Sequence, residues 1–202
     1  MNRAGIIHTY SAAMEIPQIK TPNLLLDPLL PEDAGVLYRI YQSSGVLTYF
    51  PDPVPPALEK VQRFINGQQA HWNKHGYGNW GIRLVGTPEI IGWAGLQYLP
   101  ELGETEVGFL LDRPYWGRGY ATEAAQASLD FGFEHMNLAR IIALVHPGNL
   151  ASQRVIEKCG MVYVDTLPLW GIDLMRFRFI GDSYLGSGQN LLHRRLGKER
   201  GA

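Results

Sequence analysis

The nine residues Trp116-Gly117-Arg118-Gly119-Tyr120-Ala121-Thr122-Glu123-Ala124 constrain this chain more than any other stretch. They follow an apolar, strand-like segment and open a helical pattern. Glycines at 117 and 119 allow backbone conformations closed to other residues and a close approach of main chain to ligand. The first turn of a helix carries amides without intrahelical partners and the positive end of the dipole, both of which favour phosphate oxygens. A strand, a glycine turn and a helix in that order predict either a pyrophosphate cradle or a tight connection.

The flanking segments favour the cradle. Glu106-Val107-Gly108-Phe109-Leu110-Leu111 lies upstream, strand-like Ile141 to Val145 lies downstream, and Asn149-Leu150-Ala151-Ser152-Gln153-Arg154-Val155-Ile156-Glu157-Lys158-Cys159-Gly160-Met161 follows. With the glycine turn, these segments resemble the general-control-type (GNAT) N-acetyltransferase superfamily, and within it the ribosomal-protein (RimJ/RimL-like) branch, over about residues 21–167. The resemblance implies the GNAT acyl-CoA N-acyltransferase fold: an α/β (α+β) mixed, mostly antiparallel central sheet, splayed at the coenzyme cleft and flanked by helices. It also implies an enzyme that moves the acetyl group of acetyl-CoA directly to a primary amine, on a protein N-terminus or a small basic molecule, without an acyl-enzyme. The alternative is a non-catalytic CoA-binding or regulatory module of the same fold.

Composition fits one soluble globular domain. Of 202 residues, 46% are hydrophobic and 18% charged, and the net charge of −1 exerts no global pull on nucleic acid or membrane. The single cysteine, Cys159, excludes an intrachain disulfide and a cysteine-rich metal site and suits a reducing, cytoplasmic setting. No segment reaches the 18 or so apolar residues of a membrane span. Monomer and homodimer are both compatible with this composition.

Residues 1–20 read as an N-terminal lead, 21–180 as the catalytic domain and 181–202 as a basic C-terminal tail. Within the domain, the patterns predict a strand at Leu24 to Leu26 and a helix from Ala34 to about Gln42. A stiff loop with Pro51, Pro53, Pro55 and Pro56 leads to a second helix from about Ala57 to Lys74. Trp80 to Leu84, Ile90 to Tyr98 and Glu106 to Leu111 read as an antiparallel meander. Then come a helix from Ala121 to Met136, a strand from Ile141 to Val145, a helix from Asn149 to Cys159 and a further strand. A final strand or hairpin is expected at Leu174 to Ile180.

The resemblance implies site roles. Backbone groups of Phe109, Leu110 and Leu111 hold the pantetheine arm, and Trp116, Gly117, Arg118, Gly119, Tyr120, Ala121 and Thr122 form the pyrophosphate cradle. The family motif begins with glutamine or arginine, where this chain has Trp116; Gly119 and Ala121 match it. Asn149 and Ser152 approach the cofactor from the later helix. Where many relatives place a tyrosine general acid, this chain has Ile156, which leaves Ser152 or water to protonate the departing thiolate.

An amine is mostly protonated at neutral pH, with pKa about 8 for an α-amino group and about 10.4 for lysine, so attack on a thioester needs a base. Glu106 shares a strand face with Gly108 and Leu110 and is the candidate; an exposed structural glutamate is the competing reading. Glu123, in the first turn of its helix, reads as a dipole-stabilising residue. His71 and His75, four apart on a helix, read as a surface pair rather than a metal site. His146 is a secondary base candidate, and Trp72, Trp80, Trp93 and Trp170 read as core or rim. From Leu84 to Asp112 the chain has no lysine or arginine but has Glu89, Glu101, Glu104, Glu106 and Asp112, which suggests an acidic edge attracting a cationic acceptor.

Overall fold

The computed structural model describes residues 14–179. The basic tail and the first thirteen residues lie outside the described residues. Eight strands and four α-helices follow in the order β1 (Ile19–Lys20), β2 (Leu24–Pro28), α1 (Ala34–Gln42), α2 (Leu58–His75), β3 (Asn79–Leu84), β4 (Ile90–Leu99), β5 (Glu104–Leu111), α3 (Tyr120–Asp130), β6 (Ala143–Val145), α4 (Leu150–Lys158), β7 (Val162–Leu169) and β8 (Ile172–Arg178).

Strand alternation and helical spacing explain most of these elements. In β2, Leu24 and Leu26 are fully buried on one face. In α2, Val61, Ile65, Gln68 and Trp72 recur at helical spacing and are the buried residues. Strands β1 to β5 form an antiparallel sheet in chain order. One face packs Leu24, Leu26, Trp80, Leu96 and Val107 against Ala124, Ala125 and Leu129 of α3. The other carries α1 and α2 through Leu37, Val61, Ile65 and Ile90.

The second sheet runs β6-β8-β7, so β8 is central and not an edge. The two sheets meet at one parallel bridge between Glu106 and Ile142. There Val107 N–H donates to Ile142 O at 2.9 Å and Ile142 N–H to Thr105 O at 2.8 Å. Below this point Arg176 clamps the sheets, pairing with Glu104 of β5 at 3.0 Å and with Asp165 of β7 at 2.6 Å. Above it β5 and β6 separate into a fork.

Several boundaries differ from the sequence expectation for physical reasons. Ile19–Lys20 pairs with β2, and Pro17 O accepts the Trp80 indole N–H at 2.7 Å, so part of the expected lead docks on the domain. The helix expected to reach Met136 is α-helical only to Asp130 and continues as a wider π-turn, Phe131–His135. Gly132 favours this change: a Cβ there would lie 2.5 Å from Ile141 Cδ1, so bare backbone seats against the core. In the strand expected from Ile141, pairing with β8 begins only at Ala143, because Ile142 turns to β5. The hairpin strand expected at Leu174 to Ile180 begins earlier, at Ile172, and Ile180 lies outside the described residues.

Candidate active site

The fork is built from backbone on one side and side chains on the other. Alternation along β5 turns the odd-numbered residues' main-chain groups toward β6, as the Thr105 and Val107 bonds to Ile142 show. Beyond the bridge the same alternation aims the amides of Phe109 and Leu111 and the carbonyl of Phe109 into the gap. The Leu111 carbonyl is taken by Trp116, whose indole N–H donates to it at 2.7 Å. That bond folds the turn back against the end of β5.

Gly117 and Gly119 adopt φ of +73° and +84°, the left-handed region that side chains resist. A Cβ on either would meet nothing within 4 Å, so the backbone borders open space. Gly119 is the N-cap of α3 and no side chain caps that end. The first-turn amides of α3 are therefore available to an anion. Arg118 lies over the Tyr115 ring at 5.9 Å, which holds a positive charge beside the turn.

Glu123 faces elsewhere. Its carboxylate accepts from Asn23 N–H at 2.8 Å and Asn23 Nδ2 at 2.9 Å, tying α3 to the start of β2. Burial opposes its ionisation, but hydrogen bonds from Thr21, Asn23 and the Leu24 amide outweigh it and hold the carboxyl below the usual range.

The N-terminus of α4 is closed by its own sequence: Asn149 Oδ1 accepts Ser152 N–H at 3.1 Å. Asn149, Ser152 and Ile156 line a cavity of about 290 Å³ together with Phe109 and Glu106. Ile156 is also core, so its position supplies shape and no proton.

Glu106 sits where the fork opens and accepts a hydrogen bond from the Leu144 amide. By the alternation that turns Ile142 to β5, Leu144 aims its backbone into the same gap. Burial pushes the Glu106 carboxyl up to about 7, and the Leu144 bond only partly offsets this. Among the described residues, no lysine or arginine lines the cavity. His146 lines it too; its Nδ1 accepts Gly148 N–H at 3.0 Å, which places the proton of the neutral ring on Nε2.

Two expectations need correction. The acidic edge does not exist as a free field: Glu89 pairs with Arg39, Glu104 with Arg140 and Arg176, Glu101 accepts from Trp170, and Asp112 accepts from Ser43 and Arg113. The counter-charges come from α1, β8 and the α3–β6 connection, remote in sequence. His71 and His75 are not a plain surface pair but half-buried rings 4.6 Å apart, with Tyr77 and Tyr98 beside them. Burial, then neighbouring positive charge, lowers both pKa values. No group of three or more metal-type ligands occurs among the described residues.

The proline-rich loop, the second helix and the C-terminal strand, the segments from which the sequence would build an acceptor pocket, contribute Pro51, Phe64 and Leu174 to the remaining wall, but its aromatic side chains were not legible one by one. Tyr49, Phe50 and Phe64 from the α1–α2 loop and α2, Trp93 from β4 and Trp170 from the β7–β8 turn all line the cavity. Trp170 has φ +51° and Gly171 +81°, in a two-residue hairpin turn between paired Leu169 and Ile172. Such turns favour Asn-Gly, so a tryptophan there breaks a local rule and is the one signal that marked this wall.

Residues 23–162 match the model of the acetyltransferase (GNAT) domain. The chain belongs to the GNAT acetyltransferase family. It is 32% identical over 141 residues to the YkkB protein of Bacillus subtilis, covering 69% of this chain and 81% of the relative. It is 34% identical over 143 residues to the p20 N-acetyltransferase of Bacillus licheniformis, covering 68% and 78%. The acetyltransferase crystal structure from Agrobacterium tumefaciens superposes with a TM-score of 0.73 at 30% identity, covering 89% of this chain and 100% of that one. The fold is shared with the ribosomal-protein acetyltransferase RimL solved with coenzyme A, at a TM-score of 0.69 and 17% identity over 83% of this chain and 100% of that one. This GNAT protein is thus an acetyltransferase, and enzymes of the family use acetyl-CoA as donor. No helix among the described residues is long and apolar enough to cross a membrane.

Proposed function

We propose that this enzyme transfers the acetyl group of acetyl-CoA directly to a primary amine, with Glu106 as the general base. The observation that carries this reading is the position of the Glu106 carboxylate at the opening of the fork, in a cavity whose described lining holds no lysine or arginine. The residues present suit the donor. The open backbone at Gly117 and Gly119 and the uncapped amides of Tyr120, Ala121 and Thr122 match a pyrophosphate. The open main-chain groups of the Phe109–Leu111 segment, the Phe109 N–H and C=O and the Leu111 N–H, match the amide-bearing arm, and Asn149 and Ser152 line the same cavity as Phe109.

Acetyl-CoA supplies the activated acyl group. The amine nitrogen bonds to the acyl carbon as the carbon–sulfur bond breaks, the amine proton goes to Glu106, and the thiolate is protonated by Ser152 or water. The burial that raises the Glu106 pKa to about 7 disfavours charge on a bound ammonium as well. The two pKa values therefore approach each other, which eases the transfer. The acceptor amine lies on a protein N-terminus or a small molecule.

A free-thiol assay of CoA release from acetyl-CoA, run with N-terminal peptides, polyamines, amino acids and aminoglycosides, tests this reading. Acceptor-dependent release supports it. CoA binding without release for any amine would contradict it.

A further inference from the structure

The wall that faces Glu106 is aromatic on several sides. Phe64 and Trp93 pack with ring centroids 5.9 Å apart, and Trp93 Nε1 donates to the Tyr41 hydroxyl at 3.1 Å, which fixes the indole. Gly108 stands next but one to Glu106 on the same face, and a Cβ there would come within 3.2 Å of Trp93 Cζ3, so the indole lies directly over bare strand. Tyr49 and His146 pack at 5.4 Å on the β6 side. At the β7–β8 turn, Trp170 is 45% exposed in left-handed backbone, and its indole N–H donates to Glu101 at 3.3 Å. A bulky residue persists in that conformation only where the surroundings hold it, and here its ring borders the cavity.

The charge inventory is as telling. Among the described residues Glu106 is the only carboxylate lining the cavity, and the nearby Glu104 is occupied by Arg140 and Arg176. A second ammonium on an acceptor would be desolvated against rings, and Glu101, which accepts the Trp170 indole N–H, does not line the cavity. A carboxylate beside the amine would face Glu106 with no lysine or arginine among the described lining residues to offset it. The cavity, of about 290 Å³, must also admit the acyl end of the donor.

We infer that the acceptor is a compact primary monoamine with an aromatic or bulky apolar body and no carboxylate beside the amine, and that Trp170 is the residue that selects it. This rests on the transferase reading given above. Rings of this kind contribute contact area at low conformational cost and favour flat apolar partners. Trp170 acts on the acceptor's body and not on the acyl donor.

The test measures CoA release with matched amines: phenethylamine, phenylalaninamide, phenylalanine, spermidine, kanamycin and a hexapeptide with N-terminal phenylalanine. Phenethylamine and phenylalaninamide are expected to exceed the other four in kcat/KM by tenfold or more. The variant Trp170→Asn keeps a residue suited to the turn, so it separates loss of the ring from loss of the hairpin. It is expected to raise KM for phenethylamine about tenfold, with the coenzyme A dissociation constant and the melting temperature not worsened. Preference for phenylalanine, spermidine, kanamycin or the peptide would overturn the inference and leave the transferase reading standing. An unchanged phenethylamine KM in Trp170→Asn would overturn the role of Trp170. Coenzyme A binding with no release for any amine would overturn both readings.

Discussion

The two walls of the fork present different chemistry. The wall formed by the end of β5 and the start of α3 offers main-chain groups and glycines, with its helix end left without a side-chain cap. The facing wall offers aromatic side chains, one carboxylate and a helix end already closed by Asn149. The difference teaches that a donor common to a whole family is suited by backbone, which many sequences present equally well. An acceptor particular to one enzyme has to be read by side chains. Asn149 filling its own helix end while Gly119 leaves the other open shows the same division within one site.

Substitutions on opposite walls should therefore fail differently. The largest effect is expected from Glu106→Gln, which removes the proposed base and should lower kcat by roughly 100-fold or more, with the coenzyme A dissociation constant within about twofold. Gly119→Trp should do the reverse: it places a large side chain in left-handed backbone at the cradle and raises the donor dissociation constant at least about tenfold, read by calorimetry. Retained coenzyme A affinity in that variant would dissolve the contrast between the walls.

The ionisation of Glu106 gives a third, acceptor-free test. Its folded-state pKa, about 7 against an ordinary 4.5, means the fold favours the neutral acid. That contribution is fully present below about pH 4.5 and is lost as pH rises through about 7. Glu106→Gln should thus melt higher than the native enzyme at pH 8, by up to about 3 kcal/mol of stability, and nearly level with it at about pH 4. Equal melting at both pH values would show that the carboxyl is not desolvated. Smaller still, Trp116→Phe removes one hydrogen bond to Leu111 O, worth about 0.5–1.5 kcal/mol, and should weaken coenzyme A binding only a few-fold.

The same division explains what could be read from the chain alone. Strand alternation in Leu24 to Leu26 and helical spacing from Val61 to Trp72 announce their elements, because burial of one face is a local pattern. The glycine turn before Tyr120 is legible for the same reason: positive φ at 117 and 119 demands glycine. The aromatic wall is gathered from the α1–α2 loop, α2, β4 and the β7–β8 turn, and no window of sequence contains it. The misread acidic edge has the converse cause. Glu89 and Glu104 are visible in one segment, while Arg39, Arg140 and Arg176 reach them only through the fold. The π-turn at Phe131–His135 answers to Gly132 packing on Ile141, a contact made only in three dimensions.

The measurement that bears most directly on the divided site pairs two readouts on Glu106→Gln: coenzyme A affinity by calorimetry, and turnover of the acceptor selected by the amine panel between pH 5.5 and 8.5. In the native enzyme kcat should rise with pH through about 7, following the carboxyl, and in the variant turnover should fall at least about 100-fold and lose that rise, with coenzyme A bound as before. A variant that turns over at nearly the native rate with the native pH profile would contradict the account, because the proton would then leave the amine by another route.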